Sequence, residues 1–276
     1  MQPEAQLQID GFMETLADAP RRLLMLDYDG TIAPFHKERD QAYPYPAIAA
    51  ILQEIVRDGR TRVVIVSGRD VEDLSRRLRI RPIPEMWGLY GMQRRRTNGT
   101  VEAERMEESY LDALSEADGW LEYQQLRRFA EAKRGSIAAH WRGLNERKVE
   151  EIRARVLLGW ESIADRSGLR LLEFDGGVEI RVPGTDKGDV VRLLVAEEGP
   201  GLASAYLGDD ASDEAAFLAL GDSGMSVLVR PQLRQTAARL WLKPPDEVLD
   251  FLRKWQFASR RNNRGMGSTA AVELNA

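Results

Sequence analysis

Four consecutive large apolar residues, Leu23-Leu24-Met25-Leu26, stop abruptly on Asp27-Tyr28-Asp29-Gly30-Thr31. A strand with one wet face alternates apolar and polar residues, so an unbroken run fits a strand covered on both faces, as in the middle of a parallel α/β sheet. Ligands bind such sheets outside the carboxyl ends of the strands, where Asp27 and Asp29 stand. Residues i and i+2 share a strand face, so the two carboxylates can converge on one small volume. Their repulsion calls for Mg²⁺ or for a raised pKa on one of them. Asp27 is thereby a candidate covalent nucleophile. A plain polar turn after a core strand is the structural alternative, since Asp and Gly are ordinary turn residues.

Three further segments bear on that choice. The β-branched run 62–66 ends on Ser67-Gly68-Arg69; Ser67 can donate to a phosphoryl oxygen or cap the amphipathic stretch 71–78. Past the short apolar run 203–207, the string Gly208-Asp209-Asp210-Ala211-Ser212-Asp213-Glu214 concentrates four acids. Asp213 and Glu214 suit the first turn of a helix capped by Ser212, but Asp209 and Asp210 precede that turn. Between these runs, Lys187 opens the helical pattern Val190, Val191, Leu193, Leu194. A lysine there opposes the helix dipole, and an anion beside it explains its position.

These segments fall into two blocks of alternating strand and helix, residues 20–92 and 183–257, which predicts a three-layer α/β fold with a parallel sheet. Residues 93–182 read differently. Asn98-Gly99 and Asp175-Gly176-Gly177 mark hairpins, and helical stretches near 109–132 and 147–166 lie between them, so this part is expected to be an inserted α+β cap. Residues 258–276 read as a disordered polar tail.

In order, DYDGT, Ser67, Lys187 and GDDASDE resemble the four motifs of the haloacid dehalogenase superfamily. The fuller strings LLMLDYDGTIAPF, VVIVSGR, VEIRVPGTDKGDVV and YLGDDASDEAAF most resemble trehalose-6-phosphate phosphatases, over residues 20–255. The resemblance implies a haloacid dehalogenase-like core with a cap, and hydrolysis of trehalose 6-phosphate through an aspartyl-phosphate. It assigns Asp27 as nucleophile and Asp29 as acid, then base. Ser67 and Lys187 would stabilise phosphoryl charge, and Arg69 would contact substrate. Mg²⁺ would be held by Asp27, the Asp29 carbonyl and Asp209, with Asp210 or Asp213 supporting it through water. Two cap segments, residues 133–142 and 178–181, resemble those that hold the sugar, and they single out His140, Arg142 and Glu179. Glu179 and Arg181 alternate with Val178, Ile180 and Val182, which places them on the opposite strand face. Pairing with a trehalose-6-phosphate synthase is also implied. One departure stands out: Gly88-Leu89-Tyr90-Gly91 has tyrosine where many members carry histidine, and another sugar phosphate or a glycosyl-phosphoglycerate is the runner-up substrate.

Composition narrows the class further. A formal net charge of −5 argues against a general nucleic-acid binder. The chain of 276 residues has no cysteine, which rules out disulfides and thiolate metal sites. No apolar stretch approaches membrane-spanning length and residues 1–10 lack the form of a secretory signal, so a cytoplasmic enzyme is expected.

Overall fold

A computed structural model describes residues 3–36, 41–133, 135–141, 143–174 and 176–261. Its large sheet is built from β1 (Arg21–Leu26), β2 (Arg62–Val66), β3 (Glu85–Gly88), β4 (Gln93–Arg95), β5 (Val101–Ala103), β10 (Leu202–Gly208), β11 (Met225–Val229) and β12 (Leu240–Leu242). The strand order is β12-β11-β10-β1-β2-β3-β4-β5. The strands from β12 to β3 pair in parallel, whereas β4 and β5 close the edge as an antiparallel hairpin. From β1 the chain builds outward first through β2 and β3, and later through β10 and β11 on the other side. The crevice outside the carboxyl ends of β1, β2 and β10 is therefore the switch point of the sheet.

The unbroken apolar run of β1 is explained by its two covered faces. Leu24 and Leu26 pack with α1 (Pro3–Asp18), α2 (Pro46–Asp58), α3 (Val71–Arg77) and α8 (Asp246–Arg261). Leu23 and Met25 pack on the other side with Val190, Val191 and Leu194 of α6 (Lys187–Glu198) and Phe217 of α7 (Glu214–Leu220). Removing each such side chain from water contributes about 1.5–3 kcal/mol.

A second, antiparallel sheet of order β6-β7-β9-β8 joins β6 (Ala130–Lys133), β7 (Ser136–His140), β8 (Arg170–Phe174) and β9 (Gly177–Arg181). One face, with Ile137, Ala139, Val178 and Ile180, packs under α4 (Glu108–Tyr123) and α5 (Glu146–Ser167). The other face carries Ser136 and Ala138 of β7, which pair with Arg181 and Glu179 of β9.

Three expectations are corrected. The Asn98-Gly99 hairpin belongs to the large sheet rather than to the insertion beginning at residue 93, because the open edge of β3 takes β4 as its next strand and Arg94 is buried against Glu85. The helix expected over 109–132 stops at Tyr123, and Ala130–Lys133 is a strand. The expected tail begins too early: residues 258–261 are the last turn of α8, and residues 262–276 lie outside the described residues.

Both ends of α6 carry charge opposed to the helix dipole, and specific partners offset each. At its C-terminus, Glu197 accepts from Arg94 Nη1 at 2.7 Å and Arg62 Nη2 at 2.6 Å, and Glu198 from Arg62 Nη1 at 3.0 Å. Those hydrogen bonds, Arg94 first, hold the Glu197 carboxyl down at about 2. Lys187 stands at the other end, beside the switch point.

Candidate active site

Asp27 continues the β1 ladder by one residue, its N–H donating to Leu207 O at 2.8 Å, and ends 4% exposed. Lys187 Nζ lies 2.8 Å from Asp27 Oδ1 and 2.7 Å from Asp213 Oδ1. The anion expected beside Lys187 is thus a pair of carboxylates of the chain itself. Burial acts to lower the Lys187 pKa, but Asp213 and Asp27 outweigh it and hold the ammonium well above the usual lysine value.

Asp213 is the hub of the acidic loop. Its Oδ1 also accepts from Tyr206 Oη at 2.6 Å, and its Oδ2 accepts from the backbone N–H groups of Asp209 and Asp210, both at 3.0 Å. With four donors converging on it, Asp213 is saturated. It orients the loop and Lys187. The turn Ala211–Asp213 is capped by Asp210, which accepts from Ala211 N, rather than by Ser212.

Carboxylate oxygens of Asp27, Asp209 and Asp213 lie within 4.8 Å of one another. Asp209 Oδ2 is buried and has no hydrogen-bond partner among the described residues. Gly30, at φ +81°, lets it approach so closely that a Cβ at Gly30 would sit 2.3 Å from that oxygen. Burial, against the pull of Lys187 and reinforced by Asp213, pushes the Asp27 carboxyl up to about 7. Burial and then Asp27 push Asp209 well above the carboxylate range. Crowded, partly unsatisfied oxygen donors of this kind suit a hard divalent cation, which relieves both the desolvation and the repulsion.

Asp29 points elsewhere. Arg69 Nε and Nη2 grip its two oxygens at 2.6 and 2.7 Å, while Arg69 Nη1 holds Asp73 at 2.7 Å. The Arg69 side chain is 2% exposed and stacks over Tyr28, 5.3 Å from the ring centroid. Its planar fork matches a carboxylate, and these bonds tie it to two acids of the chain itself. Ser67 stays at the cavity wall, and α3 is capped by Asp70, which accepts from Glu72 N and Asp73 N, so the capping alternative for Ser67 does not hold.

The cavity above these groups has a volume of about 910 Å³. Asp27, Asp29, Ser67, Lys187, Asp209 and Asp210 form its floor, and Glu131, Lys133, His140 and Glu179 face them from the small sheet. Glu179 is 3% exposed, and its Oε1 accepts from Ser136 Oγ at 2.8 Å and Lys133 Nζ at 3.2 Å. Burial acts to raise its pKa, but Lys133 and the Ser136 hydroxyl outweigh it and keep the carboxyl below its ordinary value. His140 Nε2 lies 3.3 Å from Glu131 Oε2, with the Phe174 ring edge-on at 5.4 Å. Arg142 lies outside the described residues.

With this geometry in view, comparison with known proteins is decisive. Residues 25–243 match the family model described as trehalose-phosphatase. The chain belongs to the trehalose-phosphatase family. Among curated members, the trehalose-phosphate phosphatase of Mycobacterium marinum is 30% identical over 250 residues, 84% of this chain and 60% of that protein. The chain thus spans about 60% of the length of that relative. The trehalose-6-phosphate phosphatase C-terminal domain of Candida albicans superposes with TM-score 0.75 at 18% identity, covering 91% of this chain and 96% of that one. A haloacid dehalogenase-like hydrolase from Bacillus subtilis superposes with TM-score 0.58 at 15% identity, over 84% and 98% of the two chains. At those identities the two structures share the fold, which is the haloacid dehalogenase-like one.

In this trehalose-phosphatase family member, several cavity residues escaped the sequence reading. Glu131 lies inside the stretch 109–132 that reads as helix, which hides the two-residue period that puts it on one face of β6 with Lys133. His36, Phe35, Phe129 and Phe174 line the same cavity. No described helix is long and apolar enough to cross a membrane.

Proposed function

We propose that the chain hydrolyses trehalose 6-phosphate to trehalose and inorganic phosphate through an aspartyl-phosphate on Asp27. The observation that carries this reading is the pairing, across one cavity, of a floor that combines a buried carboxylate with a lysine and a roof built of polar groups around Glu179. A volume of about 910 Å³ is ample for a disaccharide phosphate.

Asp27 attacks phosphorus, and the bond from phosphorus to the sugar oxygen breaks. Asp29 gives that oxygen a proton and then takes one from the water that attacks the acyl phosphate, releasing phosphate and restoring Asp27. The Arg69 fork occupies both oxygens of Asp29, so the acid step needs one of them to leave the guanidinium and carry a proton. Lys187 and the Ser67 hydroxyl face the charge that develops on the phosphoryl oxygens. The carboxylates of Asp27 and Asp209, with the Asp29 carbonyl, are the groups that would hold Mg²⁺, supported by Asp210 and Asp213; when bound, the ion supplies Lewis-acid stabilisation of phosphoryl charge. Glu179 and His140 accept sugar hydroxyls and the aromatic side chains offer faces to the rings. Arg142 joins them on sequence grounds alone.

The test is a phosphate-release screen over trehalose 6-phosphate, other sugar phosphates, a glycosyl-phosphoglycerate and an aryl phosphate, with Mg²⁺ and with chelator. Trehalose 6-phosphate is expected to lead in kcat/KM by at least about tenfold, with turnover lost on chelation and restored by Mg²⁺. A lead for another ester moves the assignment to that ester, and full activity in chelator removes the metal from the mechanism.

A further inference from the structure

Leu89 and Tyr90 are consecutive bulky residues in the left-handed region, with φ of 50° and 59°. Such a conformation persists only where the surroundings over-determine it, and it marks functional segments. Here the backbone is tied to the strand-end loop: Leu89 N–H donates to Arg69 O at 2.9 Å and Tyr90 N–H to Ser67 O at 3.1 Å. The Tyr90 ring lies flush on Gly68, where an added Cβ would come within 2.6 Å of Tyr90 Cζ. Its face is turned to the small sheet. The Arg181 guanidinium carbon stands 4.7 Å from the ring centroid and Lys133 Nζ stands 6.0 Å from it. Lys133 in turn hydrogen-bonds Glu179, and Arg181 follows Glu179 by two residues on the same strand face.

From this chain of contacts we infer that Tyr90 is a positioning and specificity-determining residue, the ring on which Arg181 and Lys133 rest so that Glu179 is held at a fixed height above Ser67 and Asp27. The inference rests on the reading of the cavity as a sugar-phosphate site and adds to it the element that sets its depth. A ring face attracts cations through its quadrupole, most strongly where water is excluded. The contact therefore supports a long substrate that spans floor and roof more than a short one that touches the floor alone.

The experiment compares Tyr90→Leu and Tyr90→Phe on trehalose 6-phosphate and on an aryl phosphate. Tyr90→Leu is expected to lower kcat/KM for the disaccharide phosphate by about five- to thirtyfold, chiefly through KM, and the aryl phosphate by several-fold less. Tyr90→Phe, which keeps the ring face, is expected to stay within about twofold of wild type. In an Arg181→Met background, Tyr90→Leu is expected to cost little more, since the two residues act through one contact. A fall in Tyr90→Phe as deep as in Tyr90→Leu assigns the effect to the hydroxyl and overturns the inference. So does an equal fall on both substrates, which places Tyr90 at the phosphate. The cycle is also run on whichever ester the wild-type chain turns over fastest, so that failure of the trehalose assignment leaves the coupling readable. Coupling below about twofold on that ester overturns the inference on its own.

Discussion

The floor and the roof of the cavity solve opposite problems. At and beneath the floor, Asp27, Lys187, Asp213 and Tyr206 are all deeply buried and joined in that order by hydrogen bonds, so each side chain has one position and one partner set. At the roof, Glu179 is equally buried, yet its neighbours His140 and Glu131 are half-exposed on an antiparallel sheet. A preorganised, water-poor floor suits charge development at phosphorus, which is common to any phosphate ester. On the proposed function, the roof meets the part of the substrate that differs between esters. Damage to the floor should therefore fall on every substrate alike, and damage to the roof should sort substrates.

The deepest break of that division is Asp27→Asn. The amide keeps the shape but cannot form the acyl phosphate, so turnover of both a sugar phosphate and an aryl phosphate should fall by at least about a thousandfold. An acid-trap experiment on wild type should find phosphate on Asp27. Substantial residual activity in a preparation free of contaminants would move the nucleophile elsewhere. Asp213→Asn comes next. Its two oxygens take Lys187 and Tyr206 on one side and two backbone N–H groups on the other, so the amide NH₂ meets donors whichever way it turns. Loss of a buried pair of this kind costs about 3–5 kcal/mol. For a chain of this size, that lowers the melting temperature on the order of 10 °C, and both substrates should suffer equally. An unchanged melting curve would show that the hub is dispensable.

The same division governs how much was legible in the sequence. The floor could be read because a centrally buried strand has an unmistakable pattern: Leu23 to Leu26 lack alternation since Leu24 and Leu26 face one helical layer and Leu23 and Met25 the other. The acids that follow have nowhere to point except out of the strand end. The roof was harder. Ala130-Glu131-Ala132-Lys133 is made of good helix formers, and four residues are too few for alternation to outweigh propensity. What fixes them as strand is pairing with Ser136–His140, a tertiary fact. The bond between Arg69 and Asp29 was hidden for a related reason: nothing local shows that this guanidinium grips that carboxylate. The edge hairpin at 93–103 was found as a hairpin, but its sheet was set by the open edge of β3, which composition does not reveal.

Glu179→Ala sharpens the comparison from the roof. It removes the acceptor shared by Ser136 and Lys133 and leaves the buried Ser136 hydroxyl without it, at a cost of about 1–3 kcal/mol. For the disaccharide phosphate, kcat/KM should drop by about ten- to a hundredfold, while the aryl phosphate should change far less. Equal losses on the two substrates would make Glu179 a structural support of the small sheet.

Ser136→Ala is the mildest probe and the most discriminating, because it touches neither substrate chemistry nor sheet pairing. Ser136 is 4% exposed and its hydroxyl donates to Glu179 Oε1 at 2.8 Å, fixing the carboxylate from one side while Lys133 fixes it from the other. Alanine fits the strand and leaves Lys133 in place, so the carboxylate keeps its charge partner but gains rotational freedom. One hydroxyl-to-carboxylate bond contributes about 1–2 kcal/mol net. Its loss should raise KM for the disaccharide phosphate by roughly five- to tenfold, because the cost of ordering Glu179 moves from folding to binding. The aryl phosphate, which makes no contact with the roof, should keep its kcat and KM. If kcat falls for both esters while KM holds, the roof is mechanically coupled to the floor and the two halves of the cavity are one device.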